Sequence, residues 1–259
     1  MTLKKSIKSF FIIAILAIFP LVSFAQANPE NPYDNVGKQH NEMLEKIVDG
    51  MDKGKLPNSK FIPDLLDGII PVCFPLFEGF LNFDDYSMFF KKMNENNINI
   101  SQIDPQEYYS NLLEENTISN TLYTYLLKLD NILKGEESAE KVVLQVKLLE
   151  SEVSKELNEE ELAIFYSASS VARYSMFYWS TGNGNSLQSQ IYAKNTPGGD
   201  IARSDTKGVI GGATMAAGMT WWAGTFTLGA VGTGAVAGGV GASLGEAVVQ
   251  AYDWYWGNN

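Results

Sequence analysis

A stretch of 38 residues near the carboxyl terminus, from 208 to 245, contains no charged side chain and is dominated by glycine, alanine and small apolar residues. It is too apolar for an ordinary loop, because loops run over the surface of a protein. An unaided helix in water is also unfavourable, since each glycine costs up to roughly 1 kcal/mol relative to alanine. The stretch must therefore bury itself against its own hairpin, the rest of the chain, another copy or lipid.

Small residues recur at every fourth position within this stretch and form two ridges, Ala230 to Ala242 and Ala237 to Gly245. Small-xxx-small ridges let two helices approach closely, above all in membranes. We predict a glycine-zipper helical hairpin over residues 207–259. The residues expected to pack helices or to lie at a membrane are Gly208, Gly212, Ala230, Gly234, Gly238, Gly241, Ala242 and Gly245, with Trp221, Trp222, Trp254 and Trp256 at the flanks.

Two surroundings for this hairpin stay open. A helix over residues 223–245 would rise about 35 Å, enough to cross a bilayer core of about 30 Å. The flanking tryptophans are typical of interfacial aromatic belts. However, few strongly apolar side chains lie between 208 and 228, so insertion by the export machinery would be marginal. That weakness is equally consistent with a segment buried in a soluble fold.

The amino terminus has the pattern of a secretory signal. Three lysines lie among the first eight residues, residues 10–22 are apolar, and small residues follow at Ala25 and Ala27. We predict a signal peptide over residues 1–25, cleaved near Ala25 or Ala27. The protein is then exported across the inner membrane to the periplasm, the outer envelope or the medium.

The mature chain is acidic. Without the three lysines of the signal, the 19 basic residues become 16 against 30 acidic ones, a formal charge of about −14. Such a charge argues against nucleic acid or an anionic membrane surface as a partner. Cys73 is the single cysteine, so the sequence excludes an internal disulfide and favours a buried thiol.

Residues 26–180 carry helix signals throughout. Asp104 and Asn158 stand where each would cap a helix, Pro105 suits a first turn, and Gly135 suggests a left-handed helix end. Apolar residues recur at helical spacing in two further stretches. They are Val36, His40, Leu44, Ile47 and Met51 in the first, and Ala139, Val142, Val146, Leu149 and Val153 in the second.

Residues 181–206 lose this periodicity and are rich in Gly, Asn, Ser and Pro, which predicts a linker. The fold class is therefore all-α: an irregular helical bundle over 26–180, a linker, and the hairpin. A Gly198–Gly199 doublet in the linker resembles the cleavage sites of bacteriocin precursors. The residues before it lack the hydrophobic spacing of such leaders, and a Pro-Gly-Gly turn explains it better.

The sequence offers little catalytic chemistry. His40 is the single histidine, and we interpret it as a packed, hydrogen-bonded core residue; the alternative is a small polar cluster or a pH-sensitive contact with Asp34 or Glu42. A zinc site needs three or four converging ligands, for which no paired spacing exists. The chain has no GxSxG or P-loop motif, and the "GTGAVAGG" stretch follows no strand. We predict no enzyme activity, no metal and no cofactor.

The start "NPYDNVGKQHN" resembles that of a group of secreted, largely uncharacterised proteins of Bacteroidota. The matching residues are Asn31, Pro32, Tyr33, Asp34, Gly37, His40 and Asn41. The tail, introduced by the step from Asp205 to Gly208, is similar to those of the same group and to glycine-zipper peptides of two-peptide bacteriocins. The resemblance implies export and architecture, and supplies no active site.

Two functions are consistent with these features. The first is a secreted, non-catalytic helical protein whose glycine-zipper segment associates with a membrane or with itself, as in a bacteriocin-like or toxin-like effector. The second is a soluble helical envelope or binding protein of unknown partner, in which the hairpin only packs against the core.

Overall fold

The computed structural model describes residues 26–52, 104–135, 138–181, 202–203 and 205–210, and this part of the chain is helical without a strand. The all-α prediction is confirmed for these residues. The predicted signal peptide, Cys73 and the hairpin beyond residue 210 lie outside them. The five long helices are α1 (Asp34–Asp52), α2 (Pro105–Glu114), α3 (Asn120–Lys134), α4 (Ala139–Val153) and α5 (Glu159–Thr181).

Local capping chemistry sets the starts of three helices. The Asp104 side chain accepts a hydrogen bond of 2.9 Å from the backbone N–H of Gln106, and Pro105 occupies the first turn of α2. Ser119 caps α3 by accepting from the N–H of Leu122 at 3.1 Å. Asn158 accepts from the N–H of Glu161 at 2.9 Å. The caps predicted at Asp104 and Asn158 are therefore confirmed.

The left-handed end predicted at Gly135 is wrong. Gly135 caps α3 with φ −64° and ψ 142°, an extended conformation. The left-handed position belongs instead to Asn116, with φ 56°, just after α2. The N–H groups of Asn116 and Thr117 donate to the carbonyls of Leu113 and Leu112, the two bonds of a Schellman motif.

Helix α5 is the central helix of the described bundle, and it packs against α1, α3 and α4. Residues 163–173 are buried on every side of this helix. Apolar residues of α3 and α4 complete the core around it, and the predicted α4 stripe from Ala139 to Val153 is buried throughout. Burial on all faces explains why α5 lacks the one-sided apolar stripe of a surface helix.

The base of the glycine-rich tail lies within this bundle. Residues 205–210 are helical and buried, and Ala202, Val209 and Ile210 belong to the same apolar core as α5. The buried helical residues at 202 and 205–206 fall at the end of the segment predicted as a linker. Among the described helices, none combines the length and apolarity needed to cross a bilayer.

Candidate functional site

A buried polar cluster joins the start of the described chain to α4 and α5. We call it the amino-terminal cluster, and it consists of Asn28, Asn31, Asp34, Glu150 and Arg173. The Arg173 and Glu150 side chains are 0% and 2% exposed, and the Asp34 side chain is 21% exposed. Charged groups at such positions require partners, because removing a charge from water is costly.

The guanidinium of Arg173 is held by two carboxylates. Its Nη2 donates to Asp34 Oδ1 at 2.6 Å and to Glu150 Oε1 at 3.2 Å, and its Nε donates to Glu150 Oε1 at 3.3 Å. Its Nη1 donates to the carbonyl oxygen of Gln26. The planar fork of arginine is suited to this arrangement, since several N–H groups converge on neighbouring acceptors.

Neutral donors complete the shell of Glu150. Its Oε1 accepts from Asn31 Nδ2 and from Ser169 Oγ, each at 2.6 Å, and its Oε2 accepts from Asn28 Nδ2 at 2.7 Å. The Asn31 amide also donates to the backbone carbonyl of Tyr166 at 3.0 Å. The carboxylate thus fastens the segment before α1 to both α4 and α5.

Three residues of the start "NPYDNVGKQHN", residues 31–41, which we call the amino-terminal signature, dock α1 on α5: Asp34, Gly37 and Asn41. Gly37 donates its N–H to Ser170 Oγ at 3.0 Å, and Asn41 Nδ2 donates to the carbonyl of Tyr174 at 3.0 Å. The Tyr174 hydroxyl donates to Asp34 Oδ2 at 3.1 Å. Burial, with a smaller contribution from the Asp34 carboxylate, raises the pKa of Tyr174 to about 12.

Two further signature residues, Pro32 and Tyr33, lie at the edges of this contact. Pro32 is exposed, and Tyr33 is half-buried against the core with its N–H donating to Asn31 Oδ1 at 2.7 Å. Burial and the nearby Glu159 carboxylate raise the pKa of Tyr33 to about 12. The signature is therefore one continuous surface that joins the start of the chain and α1 to α5.

A second buried cluster lies where the tail enters the bundle. We call it the tail-base cluster, and it consists of His40, Ser175 and Asp205, whose side chains are fully buried. His40 Nε2 lies 3.7 Å from Asp205 Oδ2, and the Ser175 hydroxyl donates to the same oxygen. His40 Nδ1 lies 3.0 Å from Asn41 Oδ1.

The carboxylate at His40 corrects the sequence interpretation. We expected Asp34 or Glu42 as its neighbour, because both lie close in the chain. Asp34 instead binds Arg173, and Glu42 lies 3.7 Å from Lys38. The burial expected for His40 is observed, and its acidic neighbour comes from the base of the tail.

The order of groups in the tail-base cluster does not match nucleophilic catalysis. In a serine hydrolase the imidazole lies between the hydroxyl and the carboxylate, so that it can take the hydroxyl proton. Here the Asp205 carboxylate lies between His40 and Ser175. The same groups are fully buried, so a substrate cannot reach them in this conformation.

An ion-pair group fastens the tail base to α2 and α3. Arg203 Nε donates to Asp130 Oδ1 at 2.6 Å, and Lys134 Nζ lies 2.8 Å from Asp130 Oδ2. Arg203 Nη2 also lies 3.8 Å from Asp104 Oδ2, at the start of α2. Asp130 is 1% exposed, whereas Asp104 is 56% exposed, so the contact with Asp130 is the less screened of the two.

The structure locates one of the predicted tail residues, Gly208, which is buried with its neighbours. Gly212 and all later glycines, alanines and tryptophans named for the hairpin lie outside the described residues. Within the described ranges, no group of three or more His, Cys, Asp or Glu side chains is arranged to hold a metal ion.

Sequence reasoning missed Glu150, Arg173, Asp130 and Arg203. One signal was present: Arg173 is the lone charged residue between Glu161 and Thr181 in an apolar helix. A single charge in such a helix predicts a buried ion with counter-charges elsewhere, although it does not identify them. Comparison of the chain with protein-family models, with curated proteins and with solved structures finds no match.

Proposed function

We propose that this chain is an exported, non-catalytic helical protein that acts through its Gly/Ala-rich carboxyl-terminal segment. In this proposal the segment associates with membrane lipid or with a second copy of itself, in the manner of a bacteriocin-like or toxin-like effector. The described helices hold the base of the segment in place and determine where it leaves the bundle.

One observation carries this proposal: the tail base is fastened by charged side chains as well as by apolar packing. Asp205 contacts Ser175 and His40, and Arg203 pairs with Asp130. Buried ion pairs gain little net stability, because desolvation offsets their attraction. They do favour one packing arrangement over others, which suits a helical bundle that has to position a segment.

The proposal assigns no catalytic role to the described polar side chains. The single histidine is fully buried beside Asp205, and the amino-terminal cluster uses its carboxylates to bind Arg173 and two asparagines.

The acidic chain restricts the lipid surface that it could use. A formal charge of about −14 after signal removal repels anionic headgroups, so association would depend on the apolar, uncharged segment. Zwitterionic vesicles are therefore the appropriate test surface. The two small-residue ridges predict that segments pair with each other once they are in contact with lipid.

The test compares the mature protein with two matched double variants. In Gly234→Leu/Gly238→Leu one ridge is filled, whereas Gly234→Ala/Gly238→Ala keeps both residues small. We expect the wild type and the alanine variant to release dye from zwitterionic vesicles and to form oligomers there. The leucine variant should bind vesicles without releasing dye, because close helix contact is blocked.

A second candidate function is favoured by the burial of Val209 and Ile210 in the core. In this alternative the hairpin completes the bundle of a soluble envelope or binding protein. It predicts a mature protein that stays monomeric, neither cosediments with vesicles nor releases dye, and unfolds when residues 211–259 are deleted. Together these results would refute the proposal that the segment associates with a membrane or with itself.

A further inference from the structure

Asn28 is held on two sides by acidic residues of the amino-terminal cluster. Its backbone N–H donates to Asp34 Oδ1 at 3.0 Å, and its side-chain Nδ2 donates to Glu150 Oε2 at 2.7 Å. Its own Oδ1 accepts from the N–H of Glu30 at 3.3 Å. The backbone nitrogen of residue 28 is thus placed directly against a carboxylate.

The cluster is rich in negative charge at this position. Asp34 and Glu150 together face one guanidinium, that of Arg173, which shares Asp34 Oδ1 with the Asn28 nitrogen. Lys147 is the other cation coupled to these groups, and it is partly exposed. A further positive charge at the Asn28 nitrogen would lie within hydrogen-bond distance of a carboxylate in a poorly solvated place.

We propose that signal removal cleaves the Ala27–Asn28 peptide bond and that the new α-ammonium group of Asn28 forms an ion pair with Asp34. The proposal rests on the export proposed above. Ala25, Gln26 and Ala27 form the small-x-small pattern that a signal peptidase requires before the cut. Water is added across the bond, so Ala27 leaves as a carboxylate and Asn28 keeps the amine, which is protonated at neutral pH.

Cleavage removes one charge-assisted contact and converts another into an ion pair. The carbonyl of Gln26, which accepts from Arg173 Nη1, leaves with the signal. Arg173 keeps its bonds to Asp34 and Glu150. The Asn28 N–H already donates to the ionised Asp34 carboxylate, and cleavage adds a positive charge to this donor, so the hydrogen bond becomes an ion pair. Processing therefore tightens the contact between the start of the chain and α5.

Three full-length mature chains test the ion pair without any dependence on export. They begin at Gln26, Ala27 and Asn28, each released from an amino-terminal fusion by a protease that leaves no added residue. The Asn28 chain should have the highest unfolding midpoint, by about 2–4 °C over the Ala27 chain. If the unfolding midpoint of the chain that begins at Gln26 equals or exceeds that of the Asn28 chain, the contact between Gln26 and Arg173 is the more important one and the proposal is overturned.

Asp34→Asn, introduced into all three chains, assigns the difference to this carboxylate. The advantage of the Asn28 start should disappear in that background, and its persistence would contradict the ion pair. If the chains with Asp34→Asn fail to fold, the order of the unfolding midpoints of the three chains without this substitution still tests the proposal.

Amino-terminal sequencing of the protein recovered after export locates the cut itself. Asn28 is the expected first residue, whereas a first residue at Gln26 overturns this proposal and leaves the proposed function intact. Recovery of the uncleaved precursor alone would contradict both.

Discussion

Gly37→Ala adds a single methyl group at a point where α1 and α5 are in close contact. An added Cβ would lie 2.5 Å from the carbonyl oxygen of Ser170, 2.7 Å from Ser170 Oγ and 2.6 Å from Cδ2 of Tyr174. The nearest of these atoms belongs to the backbone of α5, which cannot rotate away. The two helices would therefore have to separate.

The cost follows from the bonds that this separation breaks. Reaching an ordinary contact distance of about 3.4 Å requires a shift of about 0.9 Å. Three hydrogen bonds of 2.9–3.0 Å between α1 and α5 would then exceed hydrogen-bond distance: Gly37 to Ser170, Ser170 to Asp34, and Asn41 to Tyr174. At about 1 kcal/mol each, less about 1 kcal/mol gained from helix propensity, the net loss is about 2 kcal/mol.

Urea denaturation followed by far-UV circular dichroism measures this loss, which corresponds to a fall in melting temperature of about 4–8 °C. The matched control is Asn35→Ala on the exposed face of the same helix, which should change stability by less than about 0.5 kcal/mol. If Gly37→Ala were instead to stabilise the protein, as alanine does at an exposed helix site, the close approach of α1 and α5 would be refuted.

Three further predictions concern other contacts. Arg173→Met leaves Asp34 and Glu150 without the guanidinium that pairs with them, and should lower the free energy of unfolding by about 3–5 kcal/mol. Urea denaturation measures this loss, and the control Lys38→Met, at an exposed site, should change it negligibly. Asn116→Gly should stabilise the protein by up to about 1 kcal/mol in the same assay, because φ is 56° there, and Asn116→Ala should destabilise it. Burial raises the pKa of Tyr174 from its ordinary value of about 10 to about 12, so the free energy of unfolding should fall as the pH rises between these values. Tyr174→Phe should make that fall shallower in urea midpoints measured across the range; an unchanged slope would contradict the assignment.

The helices and their starts could be predicted because their causes are local. Asp104 caps α2 through a nitrogen two residues away, and Asn158 caps α5 through one three residues away. The α4 stripe repeats every three or four residues, which is the period of the helix itself. The left-handed end predicted for α3 at Gly135 is wrong, because glycine is compatible with both the left-handed and the extended conformation and its presence alone does not select one.

The clusters could not be predicted in the same way. His40 was assigned an acidic neighbour within six residues, whereas the structure supplies Asp205 from the base of the tail. Asp34 was considered as a neighbour of His40, and it binds Arg173, which lies 139 positions later. Many carboxylates in this acidic chain could have been the partner of His40 or of Arg173, and their spacing in the sequence does not distinguish them.

The sequence by itself determined that the described chain is helical and where α2, α4 and α5 begin, and it predicts that an uncharged segment buries itself. Those properties depend on residues three or four positions apart and on composition. Only the tertiary structure decided that α5 is central, that Glu150 joins Asn31 across 119 positions, and that the tail enters the core beside His40. The physical reason is that a buried charge specifies only that a partner must exist, and the packing of helices distant in sequence selects which one.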